Sequence, residues 1–211
     1  MGGEFILPRT ASLEDPLRLA VLISGGGSGL LSLLEHQSAT NCKHRTVLVL
    51  SDRENAGGLQ HGIDSGVKSA PVPLMDFSDP IVQRTTHEEE IHRLLIESEV
   101  ELVVLSGYMR ILTPWFVGHW KGRLVNIHPS LLPDFPGAHA HRDVLSAGVT
   151  VTGCTVHLVD EGVDTGPILA QQSIPVKSND DAESLQDRVK QVEHSLYPQI
   201  IDMLSSGEIS L

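Results

Sequence analysis

Five short runs of aliphatic residues, separated by glycine-rich or charged stretches, constrain this chain most. Leu17 to Ser24, Thr46 to Ser51, Leu102 to Gly107 and Leu124 to His128 are almost unbroken successions of Leu, Val and Ile, and Lys68 to Val72 is a shorter and weaker one. Runs of this length with no polar alternation read as strands covered on both faces, the condition of a parallel sheet. Between them lie segments with helical spacing. One starts near Ser28 and carries Leu30, Leu31, Leu33 and Leu34; Ala56 to Ser65 forms a helix or turn; Ile81 to Glu97 places Ile91, Leu94, Leu95 and Ile96 on one side of a charged helix. The pattern then changes. Val149 to Val159 and Ile168 to Val176 are β-rich and close together, which predicts added antiparallel strands, and Ala182 to Leu204 predicts a last helix. The expected architecture is α/β, with a mostly parallel central sheet, helices on both faces and antiparallel strands in the C-terminal half.

The 211 residues suit one domain with a sizeable core. Residues 17–211 are expected to form it, with residues 1–16 as a flexible leader. Apolar residues make up 40% of the chain, yet none of their runs reaches the length of a membrane span, and the first sixteen residues lack the apolar region of a secretory signal. A cytoplasmic protein with no membrane partner is expected. The formal charge of −12 argues against a nucleic-acid surface, which needs a basic stripe, but leaves room for a small anion held locally at a helix N-terminus. Cys42 and Cys154 are expected as buried free thiols, and no metal site is expected.

The segment Asn126-Ile127-His128-Pro129 carries the most chemistry. Side chains two apart on an extended segment point the same way, and Pro129 biases His128 toward such a conformation. An amide donor and an imidazole would then face one developing oxyanion. A carboxylate arriving from elsewhere would orient the imidazole and raise its pKa. Asp164, in Val163-Asp164-Thr165-Gly166-Pro167, is a candidate for that carboxylate. By itself it reads equally as a turn residue between Gly162 and Gly166, and spacing does not decide whether its turn meets the Asn126–His128 segment.

Ser24-Gly25-Gly26-Gly27-Ser28-Gly29-Leu30 lies between the first strand and the first helix. It misses the dinucleotide fingerprint, whose last glycine position falls on Leu30, and lacks the Lys-Ser/Thr of a P-loop. A monophosphate on the helix start is the better guess; a glycine-rich turn with no ligand also fits the local residues. His139 and His141 have no Cys or acidic partner at zinc spacing. Ser130 lacks a nucleophile-elbow pattern. Arg84 and Glu193 read locally as ordinary helix-surface charges.

Taken together, Ile23 to Ser28, Gly107 to Leu112, Asn126 to Pro133, Gly153 to His157, Val163 to Pro167 and Glu193-His194 resemble the phosphoribosylglycinamide formyltransferases, folate-dependent enzymes of purine synthesis. The resemblance runs from about Leu17 to Leu204. It implies a Rossmann-like formyltransferase fold and transfer of a formyl group from 10-formyltetrahydrofolate to the amine of glycinamide ribonucleotide, with no metal. It implies a catalytic trio of Asn126, His128 and Asp164, a phosphate site at Gly27, Ser28 and Gly29, and an amine-binding Glu193. Folate would be met by Arg84, Met109, Arg110, Ile111, Leu112 and Asn126. One departure stands out: the family commonly has Asn where this chain has Gly29, which predicts altered phosphate binding. Formyltetrahydrofolate hydrolases share the trio but carry His where this chain has Pro129, and a non-catalytic nucleotide-binding module would have no need of the trio. Small-molecule partners are implied, with either a monomer or a homodimer.

Overall fold

The computed structural model describes residues 4–211. Along the chain run β1 (Leu17–Ile23), α1 (Ser28–Ala39), β2 (His44–Ser51), α2 (Gly58–Asp64), β3 (Lys68–Pro71), α3 (Pro80–Glu97), β4 (Leu102–Leu105), α4 (Pro114–His119), β5 (Leu124–His128), α5 (Ala140–Ala147), β6 (Val151–Leu158), β7 (Ile168–Pro175) and α6 (Ala182–Ser206). The seven strands form one sheet in the order β3-β2-β1-β4-β5-β6-β7. The first five are mutually parallel; β6 pairs antiparallel with β5, and β7 antiparallel with β6, as the change in patterning predicts.

Period-two alternation sorts each central strand onto two cores. Leu19, Val21 and Ile23 face a cluster with Leu30 of α1 and Ile200, Ile201 and Leu204 of α6. Ala20 and Leu22 face the other side, with Ile91 and Leu95 of α3, Phe116 and Trp120. Helices therefore cover both faces, which is why the strand residues are apolar without interruption.

The chain winds outward from β1 to β3 and then returns to β4 on the other flank of β1. This reversal leaves a crevice outside the carboxyl ends of β1 and β4, the usual ligand position in open α/β sheets.

Several sequence expectations are corrected. On α3 the buried stripe is His87, Glu88, Ile91 and Leu95; Ile96 is exposed, because one residue past Leu95 the helix has turned about 100° away from the core. The short helices α4 and α5 lie where no helix was expected, although Thr113-Pro114 is a good helix start: Thr113 accepts from the Phe116 N–H, and Pro114 occupies the first turn. Residues 4–16 have no helix or strand but are docked rather than frayed. The Ala11 N–H donates to the Ser205 carbonyl at 2.8 Å, Arg9 Nε donates to Glu101 at 2.6 Å, and Ala11 is buried. Ile6 lies so close to Gly122 (φ 84°) that a Cβ there would come within 2.4 Å of its backbone. The part of the expected leader at residues 1–3 lies outside the described residues. Of the two thiols, both free, Cys154 is buried as expected and Cys42 is only half-buried. Among the described residues no helix is long and apolar enough to cross a membrane.

Candidate active site

A cleft of about 680 Å³ opens at the crevice, bounded by the glycine loop after β1, residues 106–111 after β4, the end of β5, Asp164, and Gln186, Lys190, Glu193 and His194 of α6. The glycine loop is shaped by close approach. Gly27 caps α1 at φ 70°, and a Cβ on it would come within 2.6 Å of Gly58 Cα. No side chain caps α1, so the N–H groups of its first turn are left for water or an anion. Ser28 Oγ lies 3.2 Å from His194 Nε2. At Gly29 a Cβ would meet the Ser106 hydroxyl at 2.5 Å, so the room that a side chain would need is taken by a serine on the neighbouring strand end.

Asn126 and His128 occupy alternate positions on β5, paired in register with His157 and Thr155 of β6, and both line the cleft. The Asn126 amide is held by its cross-strand neighbour. His157 Nδ1 donates to the Leu158 carbonyl at 2.9 Å, which leaves Nε2 to accept from Asn126 Nδ2 at 3.2 Å. Among the described residues, one of the two Asn126 N–H groups has no partner.

The loop bearing Asp164 does meet the end of β5. Asp164 Oδ2 lies 3.3 Å from His128 Nδ1 and accepts from the Gly137 N–H at 2.8 Å, while Oδ1 is 3.6 Å from His157 Nε2. The residue is in the left-handed region at φ 55°, which a short polar side chain tolerates. On its far side the His128 ring donates from Nε2 to the Phe135 carbonyl at 2.8 Å. Each ring nitrogen thus faces an oxygen acceptor. The Leu132–Pro133 peptide in this loop is cis.

The expected rise in the His128 pKa is corrected. Burial pushes it down, and the Phe135 carbonyl and Asp164 only partly restore it, so the net direction is below the ordinary histidine value. Burial pushes Asp164 up, but His157, the Gly137 N–H and the nearby imidazoles outweigh it and hold the carboxyl below its usual range. The pair is therefore biased toward a carboxylate beside a neutral imidazole.

Glu193 borders the same cleft, and burial raises its pKa to about 7 even though Lys190 pulls it down. Met109, Arg110 and Ile111 line the cleft wall, with Met109 and Ile111 about 60% exposed, leaving an apolar strip open to solvent. Arg110 is anchored by a 2.8 Å hydrogen bond from Nε to the buried Asp52. Two members of the expected folate set lie elsewhere. Leu112 packs into the α3–α4 core, and Arg84 is exposed on α3 and is not among the residues lining the cleft. His139 is exposed at the start of α5, whereas His141 lines the cleft with a buried Nδ1 that has no hydrogen-bond partner. Ser130 is buried and donates to the Asp134 carbonyl. His157, Asp52 and Ser106 have no local signature in the sequence; each meets a partner on another strand or loop, which spacing does not reveal.

Comparison with known proteins gives the family. The model of the formyl transferase family matches residues 17–201. Over 195 residues the chain is 34% identical to phosphoribosylglycinamide formyltransferase of Escherichia coli strain K12, covering 92% of this chain and 90% of that protein. It is 43% identical to the trifunctional purine biosynthetic protein adenosine-3 of Drosophila melanogaster over 90% of this chain but 14% of that protein, so it spans about one seventh of the length of this relative. Among solved structures, glycinamide ribonucleotide transformylase 1 from Symbiobacterium toebii superposes with a TM-score of 0.88 at 37% identity, covering 93% of this chain and 91% of that one. The chain belongs to the formyl transferase family.

Proposed function

We propose that this chain transfers the formyl group of 10-formyltetrahydrofolate to the amine of glycinamide ribonucleotide, a step of purine biosynthesis. The observation that carries the reading is the grouping of Asn126, His128 and Asp164 in one cleft, between an uncapped helix start and an apolar strip. The helix start at Gly27, Ser28 and Gly29 suits the ribonucleotide phosphate. Met109 and Ile111 offer apolar surface to a pterin, with Arg110 beside them, and Glu193, on the same cleft, is the group we assign to the amine. The exposed Arg84 suits the folate's outer carboxylates only if the tail runs across α3. The names of the relatives above carry the same transferred group and the same acceptor.

The amine attacks the formyl carbon as a C–N bond forms and the carbonyl oxygen becomes an oxyanion. The free N–H of Asn126 donates to that oxygen; a well-placed donor of this kind is worth about 3–4 kcal/mol. His128, neutral before attack and with Nε2–H engaged by Phe135, takes the proton shed by the amine on Nδ1, directly or through water. Asp164 stabilises the resulting imidazolium, which adds positive charge beside the oxyanion. Collapse breaks the bond to the folate nitrogen, and that nitrogen receives the proton from His128. No covalent enzyme intermediate and no metal enters the sequence. Two free thiols suit a reducing cytoplasm.

The test is tetrahydrofolate release from 10-formyltetrahydrofolate, with and without glycinamide ribonucleotide. Release that requires the ribonucleotide is expected. Release without it would mean hydrolysis, and no release in either case would mean a binding module.

A further inference from the structure

A second cluster of titratable side chains lies at the far end of α1 from the cleft. His36 is in the last turn of α1, Cys42 in the turn that follows, His44 is the first residue of β2, and Asp202 is in the last turns of α6. Each brings one ligand-type atom to a common point, and all four atoms lie within 4.8 Å of one another. From Ser28 to His36 the helix rises about 12 Å, so none of these groups belongs to the formyl-transfer site. We propose that His36, Cys42, His44 and Asp202 form a structural site for a divalent transition metal, with zinc as the preferred ion.

The donor set selects the ion. Two imidazoles, a thiolate and one carboxylate suit zinc and its borderline neighbours; magnesium and calcium want oxygen shells. Four protein ligands also complete a tetrahedron and leave no open position for a reacting water, which is the signature of a structural site. The spacing is close to what is needed. Zinc bonds of about 2.0–2.3 Å put neighbouring ligand atoms about 3.3–3.8 Å apart. At present Asp202 bridges the two histidines, accepting from His36 Nε2 at 2.8 Å and pairing with His44 Nε2 at 2.9 Å. Opening those contacts by about half an ångström while the wider separations close would seat the ion. The rings of His36 and His44 already lie nearly parallel, at 11° and 6.3 Å between centroids. The His44 side chain is fully buried, whereas Asp202 is 39% exposed and gives an entry path from solvent.

Gln37 makes the proposal specific. Its Oε1 accepts from the Thr46 N–H at 3.2 Å and from the Thr46 hydroxyl at 3.0 Å, so its Nε2 donates to His44 Nδ1 at 2.8 Å. His44 therefore carries its proton on Nε2 while it pairs with Asp202. A metal on the two Nε2 atoms moves the protons of His36 and His44 to their Nδ1 atoms and releases the Cys42 thiol proton to solvent. The Gln37 amide must then turn over to accept from Nδ1–H. A carboxylate at position 37 would accept from Nδ1–H and from Thr46 without turning, and the second shell of a metal site commonly changes affinity by about 10–100-fold.

The whole chain, stripped with a chelator, would be titrated with Co²⁺ and then Zn²⁺. One equivalent of cobalt is expected to give a thiolate-to-metal charge-transfer band with the strong visible absorption of a tetrahedral site, and zinc should bleach both. Cys42→Ser should abolish the charge-transfer band and remove the rise in melting temperature that zinc gives the unaltered chain. Gln37→Glu should tighten binding about tenfold. A cobalt spectrum without the thiolate band, zinc affinity unchanged in Cys42→Ser, or no rise in melting temperature with equimolar zinc would each overturn the proposal. These outcomes would leave a hydrogen-bonded His–Asp–His bridge in its place.

Discussion

β1 and β7 belong to the same sheet and obey different rules. β1 is buried at every position but Arg18, between two helical layers, and it reads as an unbroken apolar run. β7 is an edge strand with no fully buried residue, and its Gln171, Gln172 and Ser173 alternate with nothing as regular. The parallel part is a scaffold whose residues are chosen for volume and transfer free energy; the antiparallel part is chosen for what its loops and cross-strand partners deliver. β5 is the boundary, hydrogen-bonded to parallel β4 on one side and antiparallel β6 on the other. Asn126 and His128 lie on that boundary strand. The scaffold sets their direction, and the antiparallel hairpin supplies His157 and Asp164 to hold them.

The comparison can be broken most decisively at the hairpin's contribution. Asp164→Asn keeps the shape but removes the charge that stabilises the imidazolium, and it is expected to lower kcat about 10²–10⁴-fold with a much smaller change in KM for either substrate. Steady-state kinetics with both substrates varied would check this; a change confined to KM would remove Asp164 from the proton path. Stability should respond in the opposite place. Leu19→Ala, at a fully buried position of β1, is expected to cost about 2–5 kcal/mol, and Ile168→Ala, 47% exposed on β7, under about 1 kcal/mol, as read from urea unfolding midpoints. Equal costs would mean that β7 is part of the scaffold.

The glycine loop offers a finer test. Gly29→Asn should weaken use of the ribonucleotide about tenfold, because its Cβ meets the Ser106 hydroxyl; adding Ser106→Ala should recover most of the loss. A double variant no better than the single would show that the two residues are independent. The smallest effect concerns pH. Glu193, raised to about 7 by burial, gains its charge as pH rises through neutrality, so kcat/KM for the ribonucleotide should climb across that range and the climb should vanish in Glu193→Gln. Its folded pKa lies above the unfolded carboxyl's, so its ionisation opposes folding increasingly above pH 4.5 and most fully above pH 7. Glu193→Gln should therefore raise the melting temperature at pH 8 and leave it nearly unchanged at pH 4.

Legibility in the sequence followed the same divide. β1, β2, β4 and β5 could be read to within two residues, because burial on both faces forces a composition that few other structures tolerate. Asn126 and His128 could be read as a pair, since a period of two on a strand needs only the strand. The family blocks pointed to Asp164, but its meeting with His128 depends on a loop 36 positions later whose local residues describe only a turn. His157 has no local signature because its role is a register partner's: it pairs with Asn126 on the neighbouring strand. The apolar count on α3 misplaced Ile96 since residues 95 and 96 differ by a third of a helical turn. The His36–Cys42–His44 spacing gave no warning of a cluster, because Asp202 is 158 positions beyond His44.

By itself, then, the sequence determined the class of sheet, the strand that carries Asn126 and His128, and the family, since these rest on burial and on short-range patterns. Only the tertiary structure decided the direction in which the His128 pKa moves, the seating of Leu112 in the core and of Arg84 away from the cleft, and the gathering of Asp202 with its distant partners. Each of those outcomes is set by desolvation or by contact between segments far apart in the chain, and neither quantity has a local sequence signature.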